Sequence, residues 1–458
     1  MVELPGDRLE DLITVAVRTL VDFVAGLDRA PTMVTEDRDG VIASVSGPPP
    51  EEPTGPADLV HRIGRAADLA LETSGPRFLA YLPGGGDISS AVGEFLARGL
   101  NRYGTLAVGA PALAALEDSV VRWFASLFGL PPGAGGLLTT GGSQAMLSMV
   151  LAAREQHVGE DLGSARIYVS DQAHHCVAKA AKIAGFPVRS LRMLATRDGR
   201  RLDPRTVADA VAEDKRSGLN PFLVVATAGT TNTGDIDLLP DLAAVAARER
   251  LWFHVDACYG GFFQLTERGR DRMGGIEQAD SITLDPHKSL FLPFGTGALL
   301  VRDLAVLAAA HTAPEPGDYL HDVGPAAAPD YADLGTELTR ENRGLRVWLP
   351  LHLHGLTAYR NALNEKLDLA ERVYRRLAAV PSLEVPHPPP LSTVVFRLRG
   401  GDDDANLQFL DRINTSRRVF LSTTRLRGRV VVRLCVLSHR THAEHIDEAL
   451  DIITAAAG

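Results

Sequence analysis

Lys288 closes the run Ser281-Ile-Thr-Leu-Asp-Pro-His-Lys288, and Asp256, 32 residues upstream, closes the apolar run Leu251-Trp-Phe-His-Val-Asp256. A lysine amine held behind a tight Asp-Pro-His turn can carry an aldehyde as a Schiff base. A carboxylate at the end of an apolar strand can keep a pyridine nitrogen protonated, so that the ring accepts electrons. The two residue types together point to pyridoxal phosphate (PLP) as cofactor.

The rest of the chain supplies what such a cofactor needs. Thr139-Thr-Gly-Gly-Ser143 ends one apolar run and opens a helical one, so Gly141, Gly142 and Ser143 form a candidate phosphate cradle. Glycines let the backbone approach, the serine adds a hydroxyl, and the free N–H groups of the following helix favour an anion. Asp285 and His287, beside the lysine, are further candidates around the phosphate. In Asp171-Gln-Ala-His-His175 an imidazole can stack on a flat ring, and spacing does not choose between His174 and His175. Thr227, in Ala226-Thr-Ala-Gly-Thr-Thr231, can donate to the ring hydroxyl region. Small residues after Asp256 (Ala257, Cys258, Gly260, Gly261) leave room for the ring. Taken singly, each of these is also an ordinary turn, cap or surface histidine; their order along one chain carries the reading.

These residues need a scaffold that brings strand ends together. From about Ala110 the sequence alternates amphipathic helical stretches with short apolar, β-branched runs: 136–140, 165–170, 222–228, 251–256, 281–284 and 298–301. That alternation predicts an α/β domain with a mostly parallel sheet, whose ligands sit at the carboxyl ends of the strands. Helical spacing also runs over 8–28, ahead of a Pro-rich strap at 47–56, as an arm suited to packing on another subunit. After about Pro350 the pattern changes to a long helix over 352–379, strands near 392–398 and 430–436, and a last helix from 442. The expected organisation is an N-terminal arm and linker (1–100), a large cofactor-binding domain (101–350) and a small α+β domain (351–458).

Composition narrows the function classes. The 458 residues are 45% hydrophobic, enough for a sizeable core, and the formal net charge is −10, which argues against a nucleic-acid partner. Three cysteines without a Cys-x-x-Cys pair leave neither a disulfide framework nor a zinc site to expect, and no metal is expected. No apolar stretch reaches the roughly 20 residues a membrane span needs, and no signal peptide is evident, so a reducing cytoplasm is the expected compartment.

The segments Phe78-Leu-Ala-Tyr-Leu-Pro83, Pro111-Ala-Leu-Ala-Ala-Leu-Glu117, Asp171-Gln-Ala-His174, Thr227-Ala-Gly-Thr-Thr231, His254-Val-Asp-Ala-Cys-Tyr259 and Asp285-Pro-His-Lys288 resemble the group II PLP-dependent amino acid decarboxylases, over roughly residues 60–455. The resemblance implies a fold type I enzyme and an obligate homodimer with active sites at the subunit interface. It also implies roles. Lys288 is the Schiff-base lysine, Asp256 pairs the pyridine nitrogen and His174 stacks on the ring. Gly142, Ser143, Asp285 and His287 surround the phosphate, with Thr227 near the ring. Tyr319, in Gly317-Asp-Tyr-Leu320, falls where the family carries the loop tyrosine that protonates the carbanion. The substrate is an amino acid, with Tyr81, Pro83 and Gly84 in its pocket.

Three departures bear on substrate, and because of them the resemblance implies the fold and the cofactor but not an aromatic substrate. Ser289 follows the lysine where the family carries a bulky aromatic, Cys258 replaces a small alanine, and Pro83-Gly-Gly-Gly-Asp87 suggests a widened pocket. Three readings therefore stay open at this point: release of an amine; oxidative release of an aldehyde or another PLP lyase reaction on a bulkier substrate in specialised metabolism; and a non-catalytic binding member of the family.

Overall fold

The computed structural model describes residues 3–34, 37–312 and 328–458. Seven strands form the large sheet: β1 (Gly135–Thr139), β2 (Ala165–Ser170), β3 (Leu191–Leu194), β4 (Asn220–Thr227), β5 (Trp252–Asp256), β6 (Ser281–Leu284) and β7 (Gly297–Val301), in the order β1-β7-β6-β5-β4-β2-β3. β7 runs antiparallel to both neighbours, and the other adjacent pairs are parallel. Every residue of β5, β6 and β7 is buried, as is β4 after its first residue. Such strands carry continuous apolar runs because helices cover both faces of a parallel sheet. The expected mostly parallel α/β sheet is therefore present.

Two core clusters lie on either side of this sheet. One gathers Phe124, Phe262, Phe253, Val255 and Ile282; the other gathers Met146, Met149, Ile167, Val225 and Leu299. The split follows the strand pleat: Val255 of β5 faces the first layer, whereas Val225 of β4 faces the second.

A second sheet serves the C-terminal region. β8 (Leu383–Glu384), β9 (Thr393–Leu398), β10 (Ser422–Leu426) and β11 (Arg429–Cys435) pair antiparallel in the order β10-β11-β9-β8. Its inner face packs Val394, Phe396, Val432 and Leu434 against the helices Leu356–Ala378, Asp403–Thr415 and Ala443–Ala457. The segment around Leu79, expected in the N-terminal arm, packs into this core: Leu79 N donates to Phe420 O, and Cys435 N donates to Leu79 O. The long helix expected over 352–379 is two helices, Leu345–His354 and Leu356–Ala378, interrupted at Gly355 with φ 74°.

The helix Gly6–Gly26 buries none of its residues, and Leu9, Ile13, Val17, Leu20 and Phe23 are exposed. The helices Arg38–Val45, Pro56–Asp68 and Ile88–Leu100 were not legible in the sequence. Their apolar stripes also remain open to solvent, at Ile63, Phe95 and Leu100 for example.

A buried ion pair fixes the chain where it re-enters the large domain. Glu117, on the helix Pro111–Leu127, accepts from Arg340 Nη2 at 2.6 Å, Arg343 N at 3.1 Å and Gly344 N at 3.2 Å, and both Glu117 and Arg340 side chains are almost wholly buried. Removing one member strands the other charge without water. Glu117→Ala is expected to lower unfolding free energy by about 3–5 kcal/mol, read from denaturant midpoints, whereas a surface pair such as Arg375 with Glu371 is expected to change it by less than about 1 kcal/mol.

Candidate active site

At the carboxyl edge of the large sheet lies a cavity of about 270 Å³. Its wall includes Gly141, Gly142, Ser143, His174, Thr227, Asp256, Asp285, His287 and Lys288, so every expected cofactor-binding residue converges on one space. They come from five different strand ends, because a parallel sheet presents all its carboxyl termini on one edge. Tyr319 lies outside the described residues.

Lys288 stands on the one-turn helix Pro286–Ser289 that follows β6. Its Nζ is 2.8 Å from Asp285 Oδ2, and Gly142 N donates to the other oxygen, Oδ1, at 2.6 Å. Gly142 is the first residue of the helix Gly142–His157, so the carboxylate caps a positive helix end from another element. Burial opposes the charge on Asp285, but the Lys288 ammonium and His287 outweigh it and hold the carboxyl below its ordinary pKa. Burial likewise opposes the Lys288 charge, and Asp285 outweighs it and raises the amine above its ordinary value. The pair is thus ionised on both sides. A side chain at Gly142 would strike Cys258 Sγ at 2.4 Å, so only glycine lets this helix end approach Asp285.

Asp256 ends β5. Cys258 N donates to its Oδ1 at 3.1 Å, and Thr283 Oγ1 does so at 3.5 Å. Both contacts fall on Oδ1, which leaves Oδ2 for a partner in the cavity. Behind it runs a buried chain of donors in one direction: Trp252 Nε1 to Ser281 Oγ at 2.7 Å, Ser281 Oγ to His254 Nδ1 at 2.8 Å, and His254 Nε2 to Thr283 Oγ1 at 3.2 Å. This chain carries a hydrogen on Nε2 of a neutral imidazole. Burial pushes the His254 pKa down from 6.5 to about 4, against the pull of Asp256. Sequence reasoning gave His254 no role, yet its position two residues before Asp256 on one strand put both side chains on the same face.

His174 is half-buried on the cavity wall, with Nδ1 accepting from Cys176 N at 3.3 Å. Its pKa is lowered by burial. His175 is exposed and lies outside the wall, its ring 4.1 Å from that of His174. Thr227 N donates to the buried Asp237 at 2.8 Å, which fixes the end of β4, while Thr227 Oγ1 is buried with no partner. His287 Nδ1 donates to Thr296 O at 2.7 Å, which leaves Nε2 outside that bond. Gln144, Cys176, Thr231 and Tyr259 also line the cavity; Thr231 and Tyr259 close segments that carry the resemblance but were given no role, and Gln144 and Cys176 carried no sequence signal.

The expected substrate residues behave differently. Tyr81, Pro83 and Gly84 are not on this wall. A Cβ on Gly84 would lie 2.5 Å from His287 O, and one on Gly85 would lie 2.6 Å from His439 Nδ1. Gly84 therefore backs closely onto the lysine turn and Gly85 onto His439, and neither lines the cavity of this chain. Tyr81 is exposed and held at φ 50° by its backbone: Arg433 Nη1 donates to Tyr81 O at 2.8 Å, and Tyr81 N donates to Ser422 Oγ at 3.1 Å.

The residues fit PLP. A primary amine, a carboxylate with one free oxygen, a glycine-lined helix end and an orphaned buried threonine hydroxyl match an aldehyde, a pyridine nitrogen, a phosphate and a ring oxygen. Buried His254 also makes a prediction about pH. Its folded pKa of about 4 lies below the ordinary 6.5, so as pH falls through 6.5 the unfolded chain takes up the proton first. Stability is expected to drop between pH 6.5 and about 4, by up to about 3 kcal/mol from this group. Urea midpoints should show a shallower acid slope in His254→Gln, with the slope that remains owed in part to His439, which burial holds at about 3.

Comparison with known proteins agrees with this geometry. The family model described as pyridoxal-dependent decarboxylase conserved domain matches residues 50–399. An aromatic-L-amino-acid decarboxylase of Bacillus atrophaeus is 32% identical over 465 residues, covering 99% of this chain and 96% of that protein. A phenylacetaldehyde synthase of Arabidopsis thaliana is 32% identical over 403 residues, covering 83% and 82%. The crystal structure of Oryza sativa TDC with PLP and tryptamine superposes with a TM-score of 0.93 at 25% identity, over 100% of this chain and 99% of that one. Family match, sequence relatives and superposition converge on one conclusion: this chain belongs to the pyridoxal-dependent decarboxylases, with fold type I architecture and PLP as its cofactor.

Proposed function

We propose that the chain removes the α-carboxylate of an aromatic L-amino acid as carbon dioxide and releases the amine, working as a homodimer. The observation that carries the reading is the convergence of Lys288, Asp256 and His174 on one cavity. Relatives named for aromatic substrates supply the substrate class, among them the Bacillus decarboxylase and a Catharanthus roseus tryptophan decarboxylase solved with L-tryptophan. Gly84 packs against the backbone of the lysine turn, and Ser289 and Cys258 remain the departures that bear on the pocket.

Bound PLP supplies a carbonyl for the substrate amine and a ring that accepts the electron pair left when carbon dioxide departs. The chain does the rest. Lys288 presents the amine that holds the cofactor and yields it to substrate. Asp256 would hold a proton on the ring nitrogen, and the chain from Trp252 to Thr283 fixes that carboxylate. His174 would pack against the ring and help orient the substrate. The Gly141–Ser143 turn and His287 hold the phosphate. Tyr319 delivers the proton to the α-carbon.

The homodimer rests on the arm. The helices Gly6–Gly26, Pro56–Asp68 and Ile88–Leu100 expose Leu9, Val17, Ile63, Phe95 and other apolar side chains, a surface that a second subunit would cover. Sedimentation of the full chain checks this: a dimer is expected, and a monomer active at nanomolar concentration would refute it.

A second reading has its own support, since the Arabidopsis phenylacetaldehyde synthase, at 32% identity, is as similar to this chain as the decarboxylases at 31–32%. Incubation with aromatic and aliphatic L-amino acids separates the readings, with amine, aldehyde and hydrogen peroxide measured together. Amine from an aromatic substrate is expected, and Lys288→Ala is expected to lose activity by orders of magnitude. Acceptance of aliphatic amino acids alone would overturn the substrate class. Tyr319→Phe is expected to keep carbon dioxide release while diverting product towards aldehyde with oxygen uptake. Amine formation at the unaltered rate would remove Tyr319 from the proton's path.

A further inference from the structure

We infer that the chain carries a second anion site, for a phosphate group, at the seam between the large domain and the outer face of the small sheet. The cavity there, about 270 Å³, shares no lining residue with the PLP cavity. It lies between the 197–201 turn of the large domain and strands β8, β9 and β11.

The central observation is Arg397 on β9. It is 5% exposed, and its Nη2 donates to Gly401 O. Nη1 is buried with no partner, and among the described residues no carboxylate lies within ion-pair distance of the side chain. The strand pleat explains the placement. Val394 and Phe396 point into the small-domain core, so Arg397 shares the outer face with Val395. A buried guanidinium is normally paired, because the loss of hydration is otherwise uncompensated.

The surroundings are arranged for an anion. Arg200, Arg427 and Arg429 line the same cavity. Their carboxylates are already shared out, and loosely: Arg200 with Asp235 at 3.5 Å, Arg427 with Asp198 at 3.9 Å and Arg429 with Glu384 at 3.7 Å. Asp403, further along the sheet, is taken by Arg425 at 2.9 Å and by Val430 N at 2.8 Å. Of the four guanidinium groups on this cavity, Arg397 is the one with no carboxylate within ion-pair distance among the described residues; Glu384 lies opposite it across the strands and Asp403 feels its charge, but neither closes a pair with it.

His387 sets the chemistry of the ligand. Its Nδ1 donates to Pro388 O at 3.1 Å, so Nε2, buried and unpartnered on the cavity wall, is an acceptor. Guanidinium forks bind a multi-oxygen anion, and an acceptor among them wants a ligand that keeps an O–H. Hydrogen phosphate meets both requirements at neutral pH; sulfate, equal in shape, has no proton to give. Bound there, the anion joins Arg397 of the small sheet to Arg200 of the large-domain turn. Arg427 already closes one side of that seam by donating to Asp198 O at 2.6 Å.

The test is calorimetric titration of inorganic phosphate into the PLP-loaded holoenzyme, whose catalytic phosphate site is filled. One phosphate per chain is expected, with sulfate weaker by about tenfold. Arg397→Met is expected to weaken phosphate by about tenfold or more while PLP content and turnover stay unchanged, since Arg397 is not on the wall of the PLP cavity. Arg427→Ser, an exposed position that does not threaten folding, is expected to weaken it as well. Absence of saturable binding, equal affinity in both variants and the parent, or sulfate binding as well as phosphate would each overturn the assignment.

Discussion

One buried carboxylate, Asp285, ties together the parts on which the site depends. It takes the Lys288 ammonium on one oxygen and the backbone N–H of Gly142 on the other. Those two groups belong to the turn after β6 and the helix after β1, which are far apart in the chain and meet only because β7 lies between the two strands. The pair is costly to bury, and it holds because the geometry is short and both charges are matched. Gly142 makes the approach possible, and Cys258 packs where any side chain there would have to go.

Around this pair the protein spends its polar groups on fixing orientation. Asp256 is held by a chain that begins at an indole N–H and passes through a neutral imidazole, so the carboxylate meets the cavity with one oxygen committed and one free. Thr227 is set by Asp237 in the same way. The small sheet contributes from outside: Arg433 reaches Tyr81 O and Thr231 O, and Tyr259 bonds Ser392 and Thr393. The site wall is therefore lined by residues of the large sheet's strand ends and braced from behind by the small sheet.

Much of the fold was legible in the chain, for a physical reason. Strands buried on both faces must be continuously apolar, and β2, β4, β5, β6 and β7 each announced themselves that way. β3 and β10 did not. β3 is a half-exposed edge strand, and β10 is an edge strand of Ser, Thr and Arg with a single apolar residue, Leu426, so neither contrasts with loop composition. The helices of the N-terminal region were missed because they alternate with Pro- and Gly-rich segments and have no core of their own to pattern them.

The sequence by itself determined which residue types were available for chemistry and in what order. Lysine, aspartate, histidine and a glycine turn stood at the ends of apolar runs, and a parallel sheet gathers such ends on one edge. The tertiary structure decided what each residue touches. Only packing shows that His254 supports Asp256, that His174 and not His175 reaches the cavity wall, and that Gly84 backs the lysine turn. These depend on distances between segments far apart in the chain, and no local pattern encodes such distances.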